Sequence, residues 1–217
     1  MSRLIPPASS LLLALVAASA STAELTLDPG RSELVVRIFK TGAAAAFAHD
    51  HVIRASQVEG KVTWSPEQPA VGSIEVRSPT ASLVVDEPEL RRKYGLESEL
   101  SDDTRSKVHD TMVSERQLDV AAYPEMSFVS RTVRPASDGS VEVTGDLTLH
   151  GTSKRVVFTV RPQANGTEVQ AHAEITFNQS DFGIKPYRAM LGMVGNQDEA
   201  KLIVTLVAVP NSAPPQL

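Results

Sequence analysis

The stretch Val141-Glu142-Val143-Thr144-Gly145-Asp146-Leu147-Thr148-Leu149 decides the fold class of this chain. Apolar residues and Gly145 alternate with polar residues throughout it, and successive side chains of a β-strand point to opposite faces of a sheet. The stretch is therefore predicted to form a strand with one buried and one solvent-facing side. The same alternation recurs in Val169–Phe177, where it places His172 on the polar face.

The segments around this strand are predicted to form an antiparallel meander. The chain reverses after it at His150-Gly151, and Asp138-Gly139 and Asn165-Gly166 are dipeptides favoured in tight hairpin turns. Consecutive strands joined by short turns exclude a parallel sheet in this half, because parallel strands need long crossover connections. Further strand candidates are rich in Val, Ile and Phe: Leu34–Phe39, Val52–Trp64, Ser73–Arg77, Met126–Val133, Val156–Arg161 and Leu202–Val209.

A short helical insertion is predicted at about residues 86–114, where the alternation stops. Pro88 suits a first helical turn, and Gly95 suits the end of a short helix. Ser101 is a favourable cap for a second helix, in which Val108 and Met112 are spaced to share one face. We expect this insertion to cover one end of an all-β domain.

Residues 1–23 are predicted to be a signal peptide that is cleaved near Ala23. Arg3 precedes the apolar run Leu11–Ala18, and Ser21-Thr22-Ala23 provides small residues at the cleavage site. The chain contains no Cys, so an exported product cannot depend on disulfides, which suits a bacterial periplasm. We expect one domain over residues 24–209 and a disordered tail over residues 210–217.

Composition and motifs favour binding over catalysis. The net charge of −5 and the pI near 5.6 disfavour nucleic-acid binding, which depends on clustered Lys and Arg. No nucleophile elbow, phosphate-binding Gly-rich loop or His-Glu-x-x-His motif is present. We therefore expect no enzymatic activity and no cofactor.

Several segments in order resemble the YceI-like family: Ala122–Phe128, Val143–Lys154, Ser180–Ile184 and the closing valine-rich strand, with Val58–Val62 upstream. The resemblance covers residues 24–209. It implies a lipocalin-like antiparallel barrel in the periplasm, whose apolar cavity binds a polyisoprenoid or an isoprenoid quinone. An eight-stranded barrel is just wide enough to fill with side chains or to hold one small ligand. We therefore expect an eight-stranded barrel that carries an isoprenoid lipid.

Inward-facing apolar residues are the candidates for the cavity wall: Val36, Ile38, Ile74, Val76, Phe128, Val143, Leu147, Phe158, Val160, Ile175 and Phe177. His49, His51, Tyr187 and Arg188 are candidates for contacting a ligand head group. One departure from the family lies in the helical segment, where much of the family has an Arg-Asp pair followed by His-Leu. This chain has Arg105–Met112 there instead, so the polar end of a ligand could be met differently.

The sequence is also compatible with two other functions. His49 and His51 alternate on an extended chain and could hold a metal ion if His109 came near, which would suit a metal-dependent enzyme or a metal-binding protein. The chain could also act as an accessory partner of a membrane cytochrome without carrying a ligand. The sequence leaves open whether it forms a homodimer.

Overall fold

One antiparallel sheet dominates the computed structural model, which describes residues 23–65, 72–96 and 99–211. The predicted signal peptide, except Ala23, and residues 212–217 of the predicted tail lie outside the described residues. The strands are β1 Ala23–Leu27, β2 Glu33–Thr41, β3 His51–Ala55, β4 Glu59–Trp64, β5 Ser73–Pro79, β6 Leu83–Val85, β7 Glu125–Pro135, β8 Val141–Leu149, β9 Thr152–Val160, β10 Gln163–Asn165, β11 Glu168–Asn178, β12 Arg188–Ala189 and β13 Val194–Pro210.

Hydrogen bonds connect the strands in the order β6-β3-β2-β13-β1-β4-β5-β7-β8-β9. The long strand β13 organises this order, because it pairs with β2 and β1 along one edge and with β11 along the other. Short β10 and β12 pair with β11 and β13, respectively. The sheet is therefore antiparallel, as the turns in the sequence predict.

The prediction of an eight-stranded barrel is wrong in strand number and in closure. The described residues form thirteen strands, in part because two separate strands share one position in the sheet in three places. β1 and β2 both pair with the same edge of β13. β4 and β3 pair with β1 and β2, respectively, and β5 and β6 pair with β4 and β3, respectively. β1 and β2 are separated by a turn in which Asp28 accepts a hydrogen bond from the backbone N–H of Gly30 at 2.9 Å. The single strand predicted over residues 52–64 likewise divides between β3 and β4.

The sheet is left open between β9 and β11, where no ladder forms among the described residues. Pro162 follows β9 and has no N–H to donate, so the predicted hairpin shifts and Asn165-Gly166 joins β10 to β11 instead. The 3-10 turn Gln179–Phe182 contacts both β9 and β11. Its Phe182 is buried, with its ring perpendicular to that of Phe177 at 5.6 Å, so apolar packing spans the gap.

The predicted helical insertion is confirmed as two helices, α1 Pro88–Lys93 and α2 Asp102–Val113. Ser101 caps α2, since its hydroxyl accepts a hydrogen bond from the N–H of Thr104 at 3.2 Å. Val108 and Met112 pack onto the main core from the same helix. This packing places α2 over one end of the sheet. None of the helices among the described residues is long and apolar enough to cross a bilayer.

Candidate ligand cavity

A cavity of about 400 Å³ lies on the inner side of the curved sheet. This volume is within the range of small-molecule binding sites, and most of its wall is apolar. Ten of the eleven residues proposed for the wall line it: Val36, Ile38, Ile74, Val76, Phe128, Leu147, Phe158, Val160, Ile175 and Phe177. Their placement agrees with period-two alternation, because each strand directs alternate side chains inward.

Val143 does not line the cavity, although it points inward. It is almost completely buried in the core and pairs with Val133 on one side and Phe158 on the other. Val133 and Val141 are buried in the same core cluster. Side chains therefore fill the interior beside the β7–β8 hairpin, and the cavity lies in the part of the interior away from this hairpin.

The structure adds wall residues that the sequence interpretation did not single out. Leu202, Val204 and Leu206 line the cavity from β13, and their alternation was the signal that could have identified them. Ala171 and Ala173 line it from β11. Because an alanine side chain is small, these two positions leave space that a larger residue would occupy.

The cavity reaches the surface near α2 and the segment that precedes β12. Lys107 of α2 and Tyr187 are both exposed, and both line the cavity. Thr104 and Thr111 add hydroxyl groups to the same wall. The stretch Arg105–Met112, in which the sequence differs from the family pattern, thus belongs to α2. This helix contributes both polar and apolar groups to this end of the cavity.

His51 is the candidate head-group residue with the most specific surroundings. It begins β3, opposite Ile38 of β2, and its side chain lines the cavity. Its Nδ1 atom lies 2.6 Å from Oδ2 of Asp86. Asp86 has 0% of its side chain exposed, so this carboxylate fixes the orientation of the ring from inside the protein.

Asp86 is held by a buried network. Its Oδ1 accepts hydrogen bonds from the N–H of Val52 at 3.1 Å and from Nη1 of Arg91 at 2.8 Å. Arg91 is itself buried and also donates to the carbonyl oxygen of Asp50 at 2.9 Å. Burial alone would raise the pKa of Asp86, but the contacts with His51, Val52 and Arg91 outweigh it and lower the pKa below its usual range.

The Asp86 network determines which ring nitrogen of a neutral His51 carries the proton. The ionised Asp86 can only accept, so we assign the proton of a neutral His51 to Nδ1. Arg91 pairs with Oδ1 of Asp86, which leaves Oδ2 to accept the hydrogen bond from Nδ1 of His51. The Nε2 atom then carries a lone pair and can accept a hydrogen bond from a ligand hydroxyl group.

The other head-group candidates are placed differently. Tyr187 lines the cavity, whereas His49 and Arg188 are exposed and do not reach its wall. Desolvation is the largest cause that lowers the pKa of His49 from its ordinary value of 6.5, and the nearby positive charge of Arg91 acts in the same direction, which favours the neutral imidazole. Arg188 donates a hydrogen bond to the carbonyl oxygen of Tyr187 at 3.2 Å.

The three histidines of the metal hypothesis are not brought together. His109 lines a separate surface depression with Arg105 and Glu87, and its nearest charged partner is Asp110 at 3.6 Å. Within residues 23–65, 72–96 and 99–211, no group of three His, Cys, Asp or Glu side chains is arranged to hold a metal ion. The geometry therefore gives no support to a site built from His49, His51 and His109.

Comparison with solved structures places the fold among known proteins. BcnA of Burkholderia cenocepacia is similar with a TM-score of 0.65 and 20% identity, over 84% of this chain and 99% of that protein. The YCEI protein of Campylobacter jejuni is similar with a TM-score of 0.55 and 13% identity, over 74% of this chain and 85% of that protein. At these identities the likeness shows the shared fold.

Sequence comparison gives more closely related proteins and a family. A UPF0312 protein of Pseudomonas putida strain W619 is 34% identical over 133 residues, which cover 58% of this chain and 60% of that protein. A UPF0312 protein of Pseudomonas fluorescens strain SBW25 is 31% identical over the same shares. The chain thus matches about three fifths of the length of these relatives. The YceI-like domain family matches residues 25–208, and the chain therefore belongs to the YceI-like family.

Proposed function

We propose that this protein is a periplasmic carrier of an isoprenoid lipid, either a polyisoprenoid or an isoprenoid quinone. The observation that carries the proposal is an apolar cavity of about 400 Å³ with His51 in its wall. Membership in the YceI-like family supports the same ligand class. The proposed role is binding and transport, with no covalent step.

The apolar wall suits a hydrocarbon chain. Burial of each CH₂ group contributes about 0.8 kcal/mol, so affinity grows with the length of chain that the cavity takes in. Phe128 and Phe158 lie side by side on the wall, with ring centroids 5.5 Å apart. Such a surface favours branched aliphatic groups over polar ligands.

The polar end of the cavity suits one hydrogen-bonding head group. His51 offers an acceptor at Nε2, and Tyr187 adds a hydroxyl group near the surface. A hydroxyl at the end of an isoprenoid, or on a reduced quinone ring, could donate to His51. The head group would then determine selectivity, and the chain would supply most of the affinity.

The periplasmic location rests on the sequence of residues 1–23. Their positive start, apolar run and small-residue cleavage site support export. A lipid that must cross an aqueous compartment requires a carrier that keeps its chain out of water. Export and an apolar cavity are therefore consistent with one role.

The proposal is tested by mass spectrometry of organic extracts from protein purified out of the bacterial periplasm. We expect a stoichiometric isoprenoid lipid. The matched variant Ala171→Trp places a large side chain in the cavity and should lose the lipid, whereas Thr176→Trp on the outer face of the same strand should keep it. Wild-type protein that is always empty, or equal loading of the two variants, would refute the carrier role.

A further inference from the structure

Two neighbouring loops expose a group of large apolar side chains. Leu191 is fully exposed at 106%, Phe47 is 84% exposed and Met190 is 65% exposed, and Met193 is also on the surface. These four residues are here called the apolar tip. Soluble proteins rarely leave such side chains clustered in water unless the surface binds something.

The two loops form one surface. The N–H of Ala44, in the loop before Phe47, donates to the carbonyl oxygen of Met193 at 2.9 Å. Gly42 makes the close approach possible, since a Cβ at this position would overlap the Met193 carbonyl group. Gly42 also has a φ of +108°, a conformation that suits glycine. The Phe47 side is thereby joined to the Met190–Met193 side.

The backbone under the apolar tip is strained. Met190 and Leu191 have φ values of +50° and +56°, in the left-handed region that non-glycine residues rarely adopt. Glycine adopts this backbone conformation at a lower free-energy cost, as it does at the next residue, Gly192. This conformation costs free energy, and the fully exposed side chain of Leu191 gains no burial within the fold that would offset the cost.

The charge around the apolar tip differs from that of the whole chain. Residues 41–49 and 182–197 contain no Asp or Glu, although the net charge of the chain is −5. Lys185 and Arg188 are both exposed in the second loop. Asp50, Asp181 and Asp198 lie just outside these ranges, where Asp50 accepts from the N–H of Lys40 at 2.7 Å and Asp198 accepts from the N–H of Ser180 at 2.8 Å. Lys185 and Arg188, the two Lys or Arg residues within these ranges, are both positive, which favours contact with an anionic surface.

The apolar tip adjoins the end of the cavity that reaches solvent. Tyr187 lines the cavity, and Arg188-Ala189 connects it to Met190. Arg188 and Ala189 pair with the first residues of β13, which fixes this loop to the sheet beside the cavity. A lipid leaving the cavity past Tyr187 would therefore emerge beside the apolar tip.

We infer that the apolar tip docks the protein on a bilayer that contains anionic phospholipids. Phe47, Met190, Leu191 and Met193 enter the interface between head groups and acyl chains, and Lys185 and Arg188 pair with phosphate groups. This inference extends the proposed carrier role, because a docked cavity exchanges its ligand with the membrane without exposing the hydrocarbon chain to water.

The inference is tested by co-sedimentation of the full chain with vesicles. Vesicles of phosphatidylglycerol and phosphatidylethanolamine should bind the wild-type protein more strongly than vesicles of phosphatidylcholine alone. The double variant Phe47→Ser, Leu191→Gly should bind at least about tenfold more weakly, since two apolar side chains are lost. Lys185→Gln with Arg188→Gln should weaken binding to the anionic vesicles at low salt only.

Control measurements separate docking from folding. Glycine adopts the Leu191 backbone conformation without strain, so the Leu191→Gly change should leave the thermal midpoint unchanged or raise it. Val157→Ser removes an exposed apolar side chain on β9, outside the apolar tip, and should bind vesicles like the wild type. Equal vesicle binding by wild type and the Phe47, Leu191 variant would overturn the inference, as would preferential capture of a protein partner through these residues.

Docking and carrying are distinguished by their measurements. Lipid extracted from purified protein reports on the cavity, whereas vesicle co-sedimentation reports on the apolar tip. The occluded variant Ala171→Trp should still bind vesicles, because Ala171 lies in the cavity wall and not on the tip. If the protein contains lipid but does not bind vesicles, docking is refuted and the carrier role stands. If the protein contains no lipid but binds vesicles, the carrier role is refuted and docking stands.

Discussion

The imidazole Nδ1 of His51 lies 2.6 Å from the Oδ2 of Asp86, although 35 positions separate the two residues in the chain. Asp86 is also bonded to Arg91 and to the backbone N–H of Val52, so the start of β3 and the start of the helical insertion share one buried charged cluster. His51 is the member of this cluster that lines the cavity. A structural network therefore sets the chemistry that a ligand meets.

The Asp86→Asn variant should reduce the free energy of unfolding by about 3–5 kcal/mol, because it leaves the buried guanidinium of Arg91 without an opposite charge. Asparagine tolerates the φ of +53° at this position, so the loss reports on charge more than on backbone strain. Urea titration followed by circular dichroism measures the change.

A control for this variant is Glu174→Gln, which removes one partner of the exposed ion pair with Lys201. We expect a much smaller effect there, because water solvates the remaining charge. Equal losses in the two variants would show that the Asp86 cluster contributes no more than a surface pair.

The lowered pKa of Asp86 predicts a loss of stability in acid. Above the ordinary carboxyl pKa of 3.8, Asp86 is ionised in both the folded and unfolded chains, and its stabilisation is fully present. As the pH falls below 3.8, Asp86 is protonated first in the unfolded chain. The free energy of unfolding therefore decreases until the pH is below the pKa of Asp86 in the folded state. Stability should therefore fall with pH in this window.

The contribution of Asp86 is isolated by difference, because several surface carboxylates, among them Asp146 and Asp198, also have lowered pKa values. The gap in unfolding free energy between wild type and Asp86→Asn should narrow from pH 5 to pH 3. A gap that stays constant across this range would show that folding does not change the pKa of Asp86, and a gap that widens would show that folding raises it.

The fixed tautomer of His51 predicts head-group selectivity. With its proton on Nδ1, neutral His51 accepts a hydrogen bond at Nε2 and should favour an isoprenoid quinol over the corresponding quinone. In Asp86→Asn the amide NH₂ can donate to Nδ1, which moves the imidazole proton to Nε2 and should favour the quinone carbonyl. Competitive loading with both forms under anaerobic conditions, followed by extraction, measures the ratio.

The variant His51→Phe keeps an aromatic ring in the wall and removes both nitrogen atoms. It should bind the two forms equally while retaining most of the affinity that comes from the hydrocarbon chain. Unchanged discrimination in this variant would place the polar end of the ligand away from His51 and nearer Tyr187.

Local patterns predicted most of the architecture. Alternation located the strands that line the cavity, and Ser101 with the Val108–Met112 spacing located α2. Strands of two or three residues, such as β6 and β12, are too short for a period to appear in the sequence. Alternation also gives the direction of a side chain but not its depth, so it does not distinguish Val143, which lies in the filled core, from the residues that line the cavity.

The charged cluster was beyond the sequence interpretation for a different reason. Asp86 and Arg91 lie in a segment that is charged and helix-compatible, and such residues usually face solvent. The antiparallel pairing of β3 with β6, in which Ile53 lies opposite Val85, brings Asp86 beside His51. Long-range strand register determines this site, and no local spacing in the sequence reports it.

Gly145 provides a test of how the strands shape the cavity wall. A Cβ at this position of β8 would overlap the ring of Phe128, which lies over the glycine and lines the cavity. Gly145→Ala should therefore displace the ring towards the lumen or part the strands, with a loss of about 1–3 kcal/mol in unfolding free energy. Lipid occupancy in extracts should fall at the same time.

A matched pair of variants identifies the cause. Gly30→Ala lies on the exposed turn between β1 and β2, where a Cβ meets no atom closer than 3.4 Å, and should change neither stability nor occupancy appreciably. Adding Phe128→Leu to Gly145→Ala removes the displaced ring and should recover part of the lost stability, which gives a non-additive cycle. Additive losses would mean that the alanine acts through the strand backbone, where Val129 offers its carbonyl oxygen, and that the ring is not the obstacle.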